Sequence, residues 1–533
     1  MKVRALFALM ACCAGCQFVR LSDYNVCDQP DCSAPELDAG AEDAGLGVDG
    51  GSDGGALADA GPSCVPDGSV DVIDALGDDS DCDGVDGVRT RQLYVAGDAG
   101  NDATAKAGNP LLPFATLKAA FSFLRSGDAG AFDAVLVTTG RYDEEDVTWD
   151  SDVDVHGGRL GSGTWPASGA PTSLVGGNVG LVVQGVFGHE FSSFQVIAAP
   201  AGPSKASIGA VVVDGTPAFL DVELVGGEGG AGLPGVTVVL PDAGAGLTGT
   251  PSTQGQFTQN PGPPGVCGGT EGFAGGPAAS GPTDGKPGAG PDGGVGGPPR
   301  SCLILLGLVG DGAAGTPGDG GLPGADAVAF GSLDGSKWDW VDSDGVSGTA
   351  GTGGEPGSGG GGGGGSGIAG DADAWSGGSG GSGGCPGGGG GAGMAGGPSF
   401  GLVVRGGRPM LSGRTTVRAG RGGAGGAGAP GGSGFPGGSG GQLSVGNVSL
   451  SSCGPGGRPP YGAGGAGGNG GAGGSGGPGG GGAGGHAIGV LCENDAGFDA
   501  DGGVVRGGVP GDGGSGLPGA RGGLSAVAWG CSP

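Results

Sequence analysis

Positive charge is scarce in this chain. Only 22 Lys and Arg stand against 53 Asp and Glu, which leaves a formal net charge of −31. A surface of that sign repels polyanions, so nucleic acid is not expected as a partner, whereas divalent cations are attracted. Long apolar runs are missing as well. Beyond the N-terminal stretch, no segment approaches the ~18 continuous apolar residues of a membrane-spanning helix, so a soluble body is expected. Histidine numbers only 3, and no CxxC follows the N-terminal stretch, so a zinc site is not expected. The phosphate-loop ending is absent, because Gly285-Lys286 is followed by Pro287. His189-Glu190 lacks a second histidine at metalloprotease spacing. Gly437 to Gly441 formally fits GxSxG. It has no strand before it and no helix signal after it, which argues against a nucleophile elbow.

The chain opens with MKVRALFALMACCAGCQ. Lys2 and Arg4 form a basic n-region, Ala5 to Ala14 a short apolar region, and Ala14-Gly15 are small residues before Cys16. This order reads as a cleaved address. It resembles the lipobox of bacterial lipoproteins, with Cys13 where the family usually carries Leu. The resemblance implies removal of residues 1–15, lipidation of Cys16 and anchoring in a bilayer through acyl chains. A second frame, Leu9-Met10-Ala11-Cys12, stays open. Gln17, in place of the Asp that retains such proteins at the inner membrane, implies an outer-membrane address and surface display. Of the 13 cysteines, the ten beyond Cys16 are even in number, as disulfides in an exported protein require. Cys27 with Cys32 and Cys64 with Cys82 are candidate local pairs.

Residues 16–63 are dominated by Asp, Ala and Gly without apolar periodicity, and are expected to form a disordered acidic tether. Residues 64–90 form a Cys/Asp-rich neck. Asp79, Asp81, Asp83 and Asp86 alternate around Gly84 like the first half of a calcium loop. The acid that such a loop carries at its end is replaced by Thr90. Calcium is therefore set against a solvated acidic turn.

From Arg91 short apolar segments take over. Leu93–Ala96 reads as a strand. Phe114, Leu117, Phe121 and Leu124 share one helical face, with Thr116 as N-cap and Gly127 as stop. Ala134–Val137, Val153–Val155, Leu181–Val183, Phe194–Ile197, Ala210–Val213 and Phe219–Val225 read as further strands closed by glycines. The order of strand, Asn101-Asp102 loop, PFxTLxxA helix, strand and Gly140-Arg141-Tyr142-Asp143-Glu144 turn resembles the entry of secreted right-handed parallel β-helix proteins, the pectate-lyase-like group. The resemblance covers 91–227. It implies an all-β solenoid whose open end is covered by the helix. The acidic run Asp143 to Asp146 reads as a solvated turn.

Residues 228–533 alternate glycine tracts with apolar islands at Val236–Leu240, Cys302–Val309, Gly401–Val404, Leu443–Leu450, Ala487–Leu491, Gly503–Val505 and Leu524–Trp529. The islands are read as later coils of the same solenoid. Glycine totals 148 of 533 residues. From Ala463 to Pro478 the non-glycine residue recurs at every third position, the period of polyproline II. Such tracts either pack against one another or hang as flexible loops. Flexible loops are the expectation, because a lone tract has no internal hydrogen bonds. In composition the tracts resemble PGRS-like surface proteins.

The expected function is a surface-anchored, non-enzymatic structural or adhesive lipoprotein, with polysaccharide or envelope matrix as partner. The alternative is a β-helix lyase or glycoside hydrolase. For that alternative, Arg405 and Arg408 lead the one dense basic cluster, and Trp338 and Trp340 share a strand face that could stack on a sugar. The simpler readings are that the arginines bind the chain's own acids and that the tryptophans serve a core or lid. Carboxylates or basic groups gathered along one coil face would favour the enzyme, and a smooth face with protruding loops the structural reading.

Overall fold

The structure is a computed structural model. It describes residues 71, 73, 80, 82, 86–128, 131–161, 165–240, 244–253, 262–264, 266–267, 270–271, 273–279, 283–290, 292–298, 310–325, 352–363, 375–442, 465–493, 495–516 and 520–532. All belong to one compact unit, Cys64–Pro533.

Short apolar segments pair in parallel. One ladder runs through Gln92–Val95, Ala134–Thr138, Asp154–Arg159, Phe187–Ser192 and the second half of Ser207–Leu220, then to Met410–Ser412 and Asp499–Asp501. A second runs through Gly140–Asp143, Thr172–Val175, Phe194–Ile197, Glu223–Val225, Thr416–Arg418 and Val504–Arg506. A third joins Thr148–Trp149, Val179–Gln184, the first half of Ser207–Leu220, Ser399–Gly407, Ala487–Glu493 and Ser525–Trp529. Successive passes of the chain therefore add strands to the same ladders in the same order.

The register stacks like on like. Leu93, Val135, Val155, Phe191, Phe219 and Leu411 sit opposite one another down the first ladder, and all are fully buried. Tyr142, Leu174, Val196, Leu224 and Val417 do the same down the second. Alternate residues of each strand thus feed one continuous core.

The entry helix forms where the pattern placed it. α1 spans Leu117–Phe123, and Thr116 Oγ1 accepts the Ala119 N–H at 3.1 Å. Phe114, Leu117, Phe121 and Leu124 pack into the core, and Gly127 takes a positive φ just beyond. Two carboxylates complete the cap. Asp102 accepts the Ala115 and Thr116 N–H groups at 2.7 and 3.1 Å, and Glu144 accepts those of Leu117 and Lys118, both at 2.9 Å. Glu144 is accordingly buried. The solvated-turn reading of that residue is corrected: it holds the helix start.

The glycine tracts also depart from expectation. Those described are tied to one another by backbone hydrogen bonds repeating every third residue. Gly467, Gly470, Gly473, Gly476, Gly479, Gly482 and Gly485 donate in turn to Gly441, Gly438, Phe435, Gly432, Ala429, Gly426 and Gly423. Their partners are other tracts, which answers the objection that a lone tract is unsatisfied. The topology explains why partners are at hand. Three consecutive passes break off after Val225, Arg418 and Arg506 and resume at Ser399, Ala487 and Ser525. Those are the same two ladders, so the excursions stack as the strands do. Outgoing tracts 228–253 and 420–442 run parallel, and the returning tract 376–399 is antiparallel to both.

The spacing of side chains follows. In the returning tract from 465, Asn469, Ala472 and Ser475 are exposed, and the glycines between them face neighbours. A Cβ on Gly470 would run into the Ser382 carbonyl, and one on Gly471 into that of Thr316. Two glycines in three are what close approach of several backbones demands. The island Val236–Leu240 is likewise no strand, with Val236 and Val239 80% and 82% exposed. The islands Gly401–Val404, Ala487–Leu491, Gly503–Val505 and Leu524–Trp529 do fall on strands. Cys302–Val309 and Leu443–Leu450 lie outside the described residues. Among the described residues no helix is long and apolar enough to cross a membrane.

Candidate functional site

Along the outward faces of the first two ladders runs a groove of about 1140 Å³. Its floor comes from strand positions that alternate with the core residues. Val155 pairs with Phe191 inside, so Asp154 stands opposite Glu190 and His156 opposite Ser192 outside. The period that buries one set of side chains lines the groove with the other.

The polar contacts are dense. Asp154 Oδ1 accepts the Glu190 N–H at 2.8 Å and lies 3.1 Å from His189 Nδ1. His156 Nδ1 is 2.8 Å from Ser192 Oγ and 3.6 Å from Glu190 Oε1. Serine and carboxylate thus share one ring nitrogen. A nucleophilic relay needs them on opposite nitrogens, so this trio is not a hydrolase triad. Further along, Asp221 accepts the Arg414 N–H at 2.7 Å and its guanidinium at 3.2 Å. Gln195 Nε2 donates to Glu223, which also pairs with Arg418.

Burial raises the pKa of the Glu190 carboxyl, and the charges of Asp154 and Asp221 push it the same way against a hydrogen bond from Ser192. Burial, aided by the Arg159 guanidinium and opposed by Asp154, drives His156 down to about 4, so it is neutral in ordinary buffers. Asp221 is lowered by its Arg414 contacts.

The neck meets this face. Asp86 is buried and forms a 2.8 Å ion pair with Arg159, while its carbonyl accepts from Gln92 Nε2 at 2.6 Å. Asp71 accepts the Gly87 and Ser80 N–H groups at 2.6 and 3.0 Å. Asp86 thus gives one carboxylate oxygen to a guanidinium. Asp79, Asp81 and Asp83 lie outside the described residues, as do Cys16, Cys27, Cys32, Cys64, Trp338 and Trp340. Cys82 is disulfide-bonded. Two bridges not anticipated individually are Cys267–Cys385 and Cys492–Cys531. Among the described residues no group of three or more His, Cys, Asp or Glu side chains is gathered for a metal ion.

The basic cluster is dispersed among acids of neighbouring passes. Arg408 pairs with Asp499 at 2.9 Å, Arg414 with Asp221, Arg418 with Glu223 and Arg421 with Asp512. Arg405 stands in register between Val213 and Glu493. Neither Arg405 nor Arg408 lines the groove. Of the residues that do, Asp154, His156, Ser192 and Asp221 are not singled out by the sequence, Glu190 enters only beside His189, and Arg414 only as a member of the basic cluster. A signal existed in Asp154-Val155-His156 and Glu190-Phe191-Ser192, both polar–apolar–polar, but reading it required the register of the two strands.

No protein-family model, no curated protein and no solved structure matches this chain.

Proposed function

We propose that this chain is a surface-displayed adhesive protein of a bacterial envelope, held by a lipidated Cys16 in the outer membrane and binding saccharide in the Asp154–Glu190 groove. In this reading the body is a right-handed parallel β-helix. The repeated three-ladder order supports that, since parallel crossovers are nearly always right-handed. The ordered glycine excursions are structural, and residues 16–63 are the tether. Calcium in the neck would rest on Asp79, Asp81, Asp83 and Asp86.

The observation that carries the saccharide reading is the groove itself, concave and lined by hydroxyl, amide, imidazole and carboxylate groups on rigid strands. The test is retention of the full chain on immobilised polysaccharides. Retention that weakens in Asp154→Asn and Glu190→Gln supports the reading. Retention indifferent to both, or none at all, removes it.

One observation favours glycoside hydrolysis as a second reading. Asp154 and Glu190 face each other on neighbouring strands, and Glu190 has the raised pKa of a proton donor. Glu190 would protonate the leaving oxygen, with Asp154 as the second carboxylate of the pair. Assay of reducing ends over a polysaccharide panel decides it: turnover abolished by Glu190→Gln establishes catalysis, and its absence across the panel leaves binding alone.

A further inference from the structure

We infer that the ligand of this groove is an amine-bearing saccharide, a polymer of deacetylated amino sugars. The inference deepens the saccharide reading and rests on it. The cations that line the groove are each internally matched. Arg91 pairs with Asp133, Arg159 with Asp86 and Arg414 with Asp221. Asp154 and Glu190 face imidazoles instead, His189 at 3.1 Å from Asp154 and His156 at 3.6 Å from Glu190, and His156 carries no charge at ordinary pH.

Their side chains keep 41% and 35% of their surface open to the groove's solvent. A second pair, Glu223 with Gln195, lies on the neighbouring ladder and lines the same groove. An ammonium group offers three donors and a compact positive charge. Placed between Asp154 and Glu190, it would donate hydrogen bonds to two carboxylates at once and relieve their mutual repulsion. Sugar hydroxyls would be left to Ser192 and Gln195. A uronate polymer would instead bring negative charge beside Asp154, Glu190 and Asp221, with no unmatched guanidinium among the described lining residues to receive it.

The experiment is titration calorimetry of the full chain with short oligomers of glucosamine, of N-acetylglucosamine and of galacturonate, with oligolysine as a fourth arm. Glucosamine oligomers are expected to bind at least about tenfold more tightly than their acetylated counterparts, the effect of one desolvated charge pair. Galacturonate is expected to show no heat. Asp154→Asn combined with Glu190→Gln should weaken glucosamine binding by about tenfold or more. Replacing two exposed acids elsewhere, Asp284→Asn with Asp319→Asn, removes the same charge and should change nothing. Arg414→Ala, at an exposed position, should tighten binding a few-fold by releasing Asp221, and serves if the double variant fails to fold.

Preference for the acetylated or the uronate oligomer overturns the inference and leaves the saccharide reading standing. Equal loss in the Asp284/Asp319 control, or equal binding of oligolysine, assigns the affinity to bulk charge and overturns it too. Failure of every saccharide to bind defeats both.

Discussion

Single side chains in this protein act mostly on the backbone of other passes. Ser376, Ser379 and Ser382 recur at every third position and are fully buried. Their hydroxyls accept the N–H groups of Thr253, Thr250 and Leu247 at 3.2, 2.7 and 2.6 Å. Ser379→Ala should therefore cost about 1–3 kcal/mol, the penalty of a stranded buried donor. Denaturant unfolding checks this, and an unchanged midpoint would mean that water reaches Thr250. His156 makes a prediction in pH. Its pKa is depressed in the folded chain to about 4 from an ordinary 6.5. The folded state therefore holds it neutral where the unfolded state binds a proton. That contribution to stability is full above about pH 6.5 and is lost as pH falls towards 4. His156→Asn should flatten the stability profile over that window, as thermal melts at stepped pH would report.

At the level of elements, the strands and helix α1 obey local rules and the glycine tracts obey neighbours. Strand existence was legible because period-two apolar positions and glycine ends are local. Phe194–Ile197 was placed to the residue, and α1 was legible because its cap, face and stop all lie within fifteen residues of one another in sequence. The tracts were misread as flexible because their hydrogen bonds join residues far apart, such as Gly249 to Ser439. No window of sequence contains both partners. The consequence is testable. Gly470→Ala would push a methyl into the Ser382 carbonyl and should cost about 1–3 kcal/mol, as overpacking does. Ala472→Ser, two residues on but exposed, should stay within about 0.5 kcal/mol. Equal melting temperatures for the two variants would rule out the packed-tract arrangement.

Over the whole molecule, the excursions leave and rejoin at the same pair of ladders, so one stacking rule governs strands and tracts alike. The Cys267–Cys385 bridge ties two segments 118 residues apart within this region. Cross-linking so long a loop limits the unfolded chain, and Cys267→Ser with Cys385→Ser should lower stability by about 2–5 kcal/mol. Hydrogen exchange would show whether the loss falls on the tracts, as expected, or spreads to the ladders. The groove belongs to this scale too. Asp154 and Glu190 are 36 residues apart in chain order and meet only because Val155 pairs with Phe191.

Composition and short-range pattern alone settled the sign of the surface, the positions of most strands, the entry helix and the triplet rhythm of the glycines. Each of these depends on residues within a turn or two of one another, where side-chain period and backbone preference act directly. Which carboxylates share a groove, which arginines are neutralised and whether glycine tracts hold their shape were decided by register between passes. That register follows from stacking Val on Val and Phe on Phe through the core, a long-range packing choice that no local propensity encodes.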